Sequence, residues 1–179
     1  MGLLSSYPQD NVVLKVRIIT KEIIDKTKPW GFFDGLPSSD PQLCGARGIL
    51  FLKDDHYFTF KAWLGVGTNN LAELYALKLL LILALDKQIT NIQVCSDSLL
   101  VINWITCKFR IHNLQLAHIL DEVIRLSDLF EQAVFKHIYR ERNTSADSLA
   151  NDGGKVLDGY WHISEFNGKT WFLPGFLEL

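Results

Sequence analysis

Short apolar runs alternate with polar segments across the middle of the chain, and the period of the hydrophobic positions changes several times. Three runs near the start of this region, at 30–34, 47–53 and 56–64, are rich in aromatic and β-branched residues or alternate with period two, which predicts strands. Asp54-Asp55 lies between the second and third runs. An acidic pair of this kind is typical of a tight turn, so a hairpin is predicted there.

A helix is predicted after the hairpin. The segment from Asn69 or Asn70 to about Leu85 is dominated by Leu, Ala, Glu and Lys, and one of the two asparagines is expected to cap it. The remaining periodic runs predict a strand, two helices, a strand and a last helix, at 91–95, 98–106, 113–130, 133–139 and 143–153. The element order predicts an α/β fold with a five-stranded mixed sheet, three antiparallel strands followed by two parallel ones, and helices on both faces.

The two ends of the chain differ from this central region, which is predicted to be one domain at 29–155. Residues 1–28 carry apolar positions at roughly helical spacing and are expected to form a helix or a linker that ends near Pro29. Residues 156–179 are apolar and aromatic and are expected as a C-terminal tail. This tail either packs back on the domain or is a remnant whose partner is absent.

Composition narrows the possible functions. The 18 Lys and Arg residues nearly balance the 20 Asp and Glu residues, so any nucleic-acid binding must rest on a local patch and not on bulk positive charge. The basic and aromatic segment 108–112, downstream of Trp104, is one candidate patch, and a solvated loop over a core tryptophan is the alternative. Three cysteines without ligand-like spacing, and no apolar run of membrane-spanning length, favour an intracellular protein of the nucleus or cytoplasm with no membrane partner.

Four acidic residues do not fit the solvent-exposed faces of such a fold: Asp34, Glu73, Asp97 and Asp147. Two of them end predicted strands, and two lie in the first turns of predicted helices. Each has an ordinary structural explanation: a helix-dipole contact for Glu73 and Asp147, a helix cap for Asp97 and a turn before glycine for Asp34. Strand ends and helix starts meet at one edge of an α/β sheet, however, so the four carboxylates could share a site.

Four carboxylates in one site would repel each other strongly, and hard divalent cations with oxygen ligands neutralise such clusters. Mg²⁺ suits carboxylates that are combined with waters and with substrate phosphate oxygens. Two such ions about 4 Å apart hold the attacking and leaving oxygens of a phosphodiester cleavage. The pattern therefore indicates metal-dependent phosphodiester hydrolysis.

The same acids lie in four sequence motifs: Phe33-Asp34-Gly35, Thr68-Asn69-Asn70-Leu71-Ala72-Glu73-Leu74, Ser96-Asp97-Ser98 and Arg140-Glu141-Arg142-Asn143-Thr144-Ser145-Ala146-Asp147-Ser148-Leu149-Ala150. In their order and spacing, these motifs resemble the ribonuclease H family over residues 29 to about 154. The nearest subgroup is the ribonuclease H-like domains common in plants. Many of these resemble the carboxyl-terminal segment of a non-LTR retrotransposon reverse transcriptase.

The resemblance implies a ribonuclease H-like fold and a metal-dependent endonuclease that cuts the RNA strand of an RNA–DNA hybrid. It implies two Mg²⁺ ions, for which Mn²⁺ can substitute, on the catalytic ligands Asp34, Glu73, Asp97 and Asp147. It implies hybrid contacts at Gly35, Asn69, Asn70 and Arg140. The asparagines would lie in the minor groove, where the 2′-hydroxyl distinguishes RNA from DNA. An upstream reverse transcriptase domain or element is a further expected partner.

The segment before the last acid departs from the family's pattern. Many members carry a histidine in a flexible loop there, whereas this loop is short and His137 falls inside the predicted strand at 133–139. Arg140 is therefore favoured as the residue near the site, and His137 is favoured as a packed strand residue. A retroelement-derived domain of this kind can also be retained after its catalytic activity is lost. A catalytically inactive nucleic-acid-binding or interaction module on the same fold is therefore the alternative function.

Overall fold

The computed structural model describes residues 24–36, 40, 42–139, 160–168 and 170–178, and this part of the chain contains seven strands and three helices. The strands are β1 Trp30–Leu36, β2 Leu43–Lys53, β3 His56–Val66, β4 Asn91–Ser96, β5 Gln132–His137, β6 Tyr160–Asn167 and β7 Thr170–Glu178. The helices are α1 Asn69–Asp86, α2 Leu99–Ile105 and α3 Leu114–Ser127. Most of the predicted N-terminal segment and the last predicted helix, at 143–153, lie outside the described residues. The division of the chain at 28/29 and at 155/156 stays a prediction.

One mixed sheet joins the strands in the order β5-β4-β1-β2-β3-β6-β7. β1, β2 and β3 are antiparallel neighbours, whereas β4 and β5 run parallel to β1 on its other side. Parallel neighbours need a long crossover connection, which α2 and α3 supply between β4 and β5. The predicted α/β fold, with three antiparallel strands followed by two parallel ones, is therefore confirmed.

The sheet is larger than the five strands predicted, because the aromatic segment expected as a tail contributes β6 and β7. β6 pairs antiparallel with β3, and Trp161 packs edge-on against Phe60 with ring centroids 5.9 Å apart. This pairing supplies hydrogen-bond partners to an edge of β3 that a five-stranded sheet would leave open. Of the two alternatives for this segment, its described part therefore packs back on the domain.

The two faces of the sheet bury separate apolar clusters. Alternation along β1 and β2 sends Phe33 and Leu50 to the face that α1, α2 and α3 cover. The neighbouring residues Phe32 and Ile49 belong to the cluster on the opposite face. No described helix contributes to that second cluster. The main core therefore lies between the sheet and the three described helices.

Helix α1 begins with a different cap from the one predicted. Thr68 is the N-cap, and its Oγ1 accepts the backbone N–H of Leu71 at 3.2 Å. The prediction of Asn69 or Asn70 as the cap is wrong because Thr68 has the extended backbone that a cap requires, and both asparagines are already helical. α1 is apolar along most of its length, yet no described helix is long and apolar enough to cross a membrane.

Candidate functional site

Three of the four predicted acids border one pocket of about 400 Å³. Asp34 comes from β1, Glu73 comes from α1, and Asp97 comes from the link between β4 and α2. Four further described residues line this pocket: Gly35, Arg47, Asn69 and Ser98. The fourth acid, Asp147, and the predicted substrate contact Arg140 lie outside the described residues.

Both carboxylate oxygens of Asp34 accept hydrogen bonds. Oδ1 accepts the backbone N–H of Gly35 at 2.8 Å, and Oδ2 accepts an N–H from Nη2 of Arg47 at 2.8 Å. Arg47 lies directly opposite Asp34 in the register between β1 and β2, and the two side chains form an ion pair. Burial raises the pKa of Asp34 above its ordinary value, the Arg47 guanidinium opposes this shift, and the charge of Asp97 adds to it.

Glu73 is held by two donors from different parts of the chain. Its Oε1 accepts from Nδ2 of Asn69 at 3.0 Å, and its Oε2 accepts from Oγ of Ser98 at 2.5 Å. Glu73 is buried, with 8 % of its surface exposed. Burial raises the pKa of Glu73, and the charges of Asp34 and Asp97 raise it further, whereas the two hydrogen bonds oppose the shift.

The ordinary explanations do not hold for two of these acids. Glu73 was predicted in the first turn of α1, but with the cap at Thr68 that turn contains no acid, so a helix-dipole role is not supported. Asp97 does not cap α2, because Ser98 is the N-cap and its Oγ accepts the backbone N–H of Val101 at 3.4 Å. Neither a helix-dipole contact nor a helix cap therefore explains where these two carboxylates lie.

The backbone of Asp97 contacts both neighbouring elements. Its carbonyl oxygen accepts the N–H of Leu99 at 3.1 Å and lies 3.2 Å from Nε2 of His137. His137 lies in β5, as predicted, although the strand ends at this residue and not at Tyr139, and its ring meets the ring of Tyr139 edge-on. His137 is therefore a packed strand residue that contacts the main chain of the site at Asp97.

The predicted hybrid contacts are divided between the pocket and its surroundings. Gly35 and Asn69 line the pocket, and a Cβ atom on Gly35 would lie only 2.7 Å from Oδ1 of Asn69. Glycine therefore allows β1 to approach the start of α1 this closely. Asn69 is exposed, although its amide donates to Glu73. Asn70 follows in α1 and is not among the described residues that line the pocket.

Sequence reasoning missed Arg47 and Ser98 as members of the pocket. Arg47 is buried, with 6 % of its surface exposed, in the middle of a strand that is otherwise apolar or glycine up to its last residue, Lys53. An arginine inside an apolar run was the available signal, because arginine is almost never fully buried unless it is paired. Ser98 belongs to one of the four motifs, but its bond to Glu73 joins two elements whose contact the sequence does not reveal.

The basic segment 108–112 lies apart from the pocket. Lys108, Phe109 and Arg110 are exposed, whereas Trp104 is buried in the main apolar cluster. None of these four residues lines the pocket. The arrangement matches the alternative of a solvated loop over a core tryptophan.

The donors of the pocket suit a hard divalent cation, because its acidic groups are carboxylates. Their spacing is not that of a closed metal site: among the described residues, no three His, Cys, Asp or Glu side chains are grouped so that they could hold a metal ion. Contacts within the protein hold the carboxylates instead, from Arg47 to Asp34 and from Ser98 to Glu73. The pocket therefore fits a cation by its chemistry, while protein donors already take up part of the acceptor capacity of Asp34 and Glu73.

Comparison with known proteins places the fold and the motifs in one family. Residues 32–153 match the family described as Reverse transcriptase-like. Among curated proteins, none matches the chain significantly. RNase H1 from the halophilic archaeon Halobacterium salinarum NRC-1 is similar at 27 % sequence identity and a TM-score of 0.63, over 70 % of this chain and 96 % of that one. The N-terminal RNase H domain of rv2228c from Mycobacterium tuberculosis, solved as a fusion with maltose-binding protein, has 27 % identity and a TM-score of 0.62, over 70 % and 91 %.

Two further solved structures extend the comparison. LC11-RNase H1, solved in complex with an RNA/DNA hybrid, has 25 % identity and a TM-score of 0.61, over 70 % of this chain and 96 % of that one. The protease-reverse transcriptase of prototype foamy virus, at 19 % identity and a TM-score of 0.57, covers 78 % of this chain and 22 % of its own and shares the fold alone. Strands β6 and β7 lie beyond the family match, whereas all four motif acids lie within it. The chain belongs to the reverse transcriptase-like family, and its central region is a ribonuclease H domain.

Proposed function

We propose that this chain is a divalent-cation-dependent endonuclease that cleaves the RNA strand of RNA–DNA hybrids. The observation that carries the proposal is the convergence of Asp34, Glu73 and Asp97 on one pocket from three separate elements. Asp34 and Asp97 lie near the carboxyl ends of β1 and β4, where α/β folds commonly place their sites. Because the helix-dipole role fails for Glu73 and the capping role fails for Asp97, a shared chemical role accounts best for the cluster.

The catalytic group would hold two Mg²⁺ ions, for which Mn²⁺ can substitute, on Asp34, Glu73, Asp97 and Asp147. When bound, such ions stabilise the charge on the attacking and leaving oxygens of a phosphodiester. The described chain contributes by holding the carboxylates in position. Asn69 and Ser98 orient Glu73, while the pairing of β1 with β2 fixes the backbone of Asp34. Because burial raises the pKa of Asp34 and of Glu73, cations would compete with protons for these groups.

The hybrid would contact Gly35, Asn69, Asn70 and Arg140. Asn69 supports this assignment because it is exposed beside the pocket while its amide is oriented by Glu73. Contacts to 2′-hydroxyls in the minor groove distinguish RNA from DNA with little reading of base sequence. The hybrid bound by LC11-RNase H1 supports the same substrate class. With a net charge of −2, hybrid binding would rest on local phosphate contacts and weaken steeply as the salt concentration rises.

The biological setting of this activity rests on the sequence motifs. An upstream reverse transcriptase domain or element as partner and an origin in a plant retroelement follow from the resemblance, whereas a place in the nucleus or cytoplasm follows from the cysteine pattern. The family description and the fold shared with a viral reverse transcriptase support the first of these proposals.

A catalytically inactive binding or interaction module is the second candidate, and one observation favours it. Arg47 bonds to Oδ2 of Asp34, so part of the negative charge of the pocket is neutralised by the protein itself. A pocket that no longer takes a cation could retain such an arrangement. The hybrid would then bind without being cut.

A cleavage assay separates the two candidates. The full chain and its Asp97→Asn variant are incubated with a hybrid labelled on the RNA strand, with Mg²⁺ and then with excess chelator. Asp121→Asn is the matched control, because Asp121 is an exposed acid on α3 that does not line the pocket. We expect Mg²⁺-dependent cleavage by the native chain and by Asp121→Asn, and a loss of roughly 100-fold or more in Asp97→Asn.

Three results of this assay would contradict parts of the nuclease proposal. Equal cleavage by the native chain and Asp97→Asn would remove Asp97 from the reaction and attribute the activity to another source. Hybrid binding by fluorescence anisotropy without any cleavage by the native chain would establish the second candidate. Cleavage that persists in excess chelator would contradict the dependence on a divalent cation.

A further inference from the structure

The pocket contains a permanent cation of its own. Arg47 lies in the middle of β2, is buried to 6 % exposure, and donates from Nη2 to Oδ2 of Asp34 at 2.8 Å. Its guanidinium brings a positive charge and planar N–H donors into the pocket. Asp34 is the register partner of Arg47, and the ion pair is therefore built into the pairing of β1 with β2.

The guanidinium of Arg47 lies in the pocket in which the proposed function requires a divalent cation. Arg47 lines the same pocket as Asp34, Glu73 and Asp97, so one guanidinium charge faces three carboxylates. A divalent cation on Asp34 would lie close to the like charge of the guanidinium, which donates to Asp34 at 2.8 Å and is largely shielded from water, so the two charges would repel each other. It would also compete for Oδ2, the oxygen to which Arg47 donates.

Arg47 also affects the charge balance of the pocket when no metal ion is bound. The carboxylates have no metal-type grouping among the described residues, and the acceptor oxygens of Asp34 and Glu73 are bonded to protein donors. A buried ion pair that loses one partner leaves an uncompensated charge, which is strongly destabilising. Arg47 therefore stabilises the cation-free pocket by supplying a counter-charge to the partly buried carboxylate of Asp34.

We propose that Arg47 is a built-in counter-cation that competes with divalent cations for Asp34, so that a metal ion binds the pocket only as the guanidinium leaves Oδ2. The proposal rests on the proposed function in one respect, namely that the carboxylates are metal ligands. It goes further by assigning to Arg47 control over the metal concentration that the chain requires. Two arrangements of the pocket follow: a closed one with the Arg47–Asp34 pair, and an open one with the pair broken and a divalent cation on Asp34.

Metal affinity tests this proposal without any measurement of activity. Mg²⁺ and, separately, Mn²⁺ are titrated by calorimetry into the full chain and into Arg47→Gln, which keeps a donor to Asp34 and removes the charge. Arg47→Met, which keeps most of the apolar stem, is a second neutral variant. Arg47→Lys is the matched control because it retains the positive charge. We expect the metal dissociation constant to fall about tenfold or more in both neutral variants and to change little in Arg47→Lys.

A purely structural role for Arg47 predicts the opposite result. In that case the neutral variants would be less stable and would bind metal equally well or more weakly, and either outcome overturns the proposal. The native chain provides an independent test that needs no folded variant. Its Arg47 side-chain Nε–H signal, assigned by its loss in Arg47→Lys or by backbone-linked NMR experiments, should shift during Mg²⁺ titration. A signal that stays unchanged at saturating Mg²⁺ would contradict displacement of the guanidinium.

Failure of this proposal and failure of the nuclease proposal are distinguishable. Tighter metal binding in Arg47→Gln together with no hybrid cleavage by the native chain would support the counter-cation and reject the nuclease. Mg²⁺-dependent cleavage that Asp97→Asn abolishes, together with unchanged metal affinity in Arg47→Gln, would support the nuclease and reject the counter-cation.

Discussion

Helix α1 contributes to two regions of opposite physical character. Its interior half buries Leu77 and Leu80 completely against the sheet, in a cluster of apolar side chains. Its beginning places Glu73 in a pocket with other carboxylates, where burial and like charge both raise its pKa. The first region stabilises the folded chain, whereas burial and like charge in the second disfavour the ionised form of Glu73. A helix that keeps both features indicates that the pocket end is arranged for something other than stability.

The largest expected effect on stability comes from the apolar region. Leu80 is fully buried, and its Cδ1 lies 2.8 Å from the position that a Cβ on Gly31 would take. Leu80→Ala would leave a cavity beneath β1, so we expect the free energy of unfolding to fall by about 2–5 kcal/mol in urea denaturation. Leu114→Ala removes the same atoms at an 87 % exposed position and should change stability by less than about 0.5 kcal/mol. Equal losses in the two variants would contradict the assignment of the core.

The pocket region should respond in the opposite direction. Glu73→Gln removes a buried charge while keeping an acceptor for Asn69 and a polar group for Ser98. In the absence of divalent cations at neutral pH, we expect the free energy of unfolding to rise by about 0.5–2 kcal/mol, the range typical of relieving such a site. Chemical denaturation in chelator measures it. A loss of stability as large as that of Leu80→Ala would show that Glu73 is a structural residue.

The pH dependence of that gain sharpens the comparison. The pKa of Glu73 is raised in the folded state, so the contribution of this group to the free energy of unfolding is complete below the ordinary pKa of 4.5. That contribution is lost as the pH rises through the pKa of the folded state. Glu73→Gln cannot ionise and is free of this loss. We therefore expect the stability difference between the two proteins to be small at pH 4 and to grow toward pH 7. A difference that shrinks over this range would contradict the raised pKa.

The smallest effect is expected for an ion pair outside both regions. His56 and Glu165 join β3 to β6 at 2.8 Å, and both side chains are partly exposed. Such pairs contribute little because water competes for both groups, so Glu165→Gln should cost less than about 1 kcal/mol. A cost near that of a core truncation, measured in the same urea series, would indicate that the β6–β7 hairpin depends on this pair.

Most of the central fold follows from local pattern. The switch from period two in β2 and β3 to a run of helix formers in α1 marks both element types, and the short run at 91–95 identifies β4. The cap of α1 was missed because Thr68, Asn69 and Asn70 all carry capping side chains, and only the backbone conformation of the folded chain selects among them. The pairing of β6 with β3 was missed because it joins residues about a hundred positions apart, which no local pattern encodes.

The site shows the same division. The acids Asp34, Glu73 and Asp97 were found because each interrupts an apolar pattern at the end of a strand or near the start of a helix. Arg47 was not found, because its role depends on the strand register that brings it opposite Asp34, thirteen positions away in the sequence. A charge inside an apolar strand shows that a partner must exist, but only the strand pairing shows which one.

The most direct test of the account is the rate of RNA-strand cleavage in a hybrid, measured against Mg²⁺ concentration for the native chain and for Glu73→Gln. If Glu73 is kept for catalysis at a cost in stability, Glu73→Gln should be the more stable protein in the absence of metal. At every Mg²⁺ concentration it should nevertheless cleave the RNA strand at least roughly 100-fold more slowly than the native chain. A Glu73→Gln variant that folds as well and cleaves as fast as the native chain would contradict the central claim.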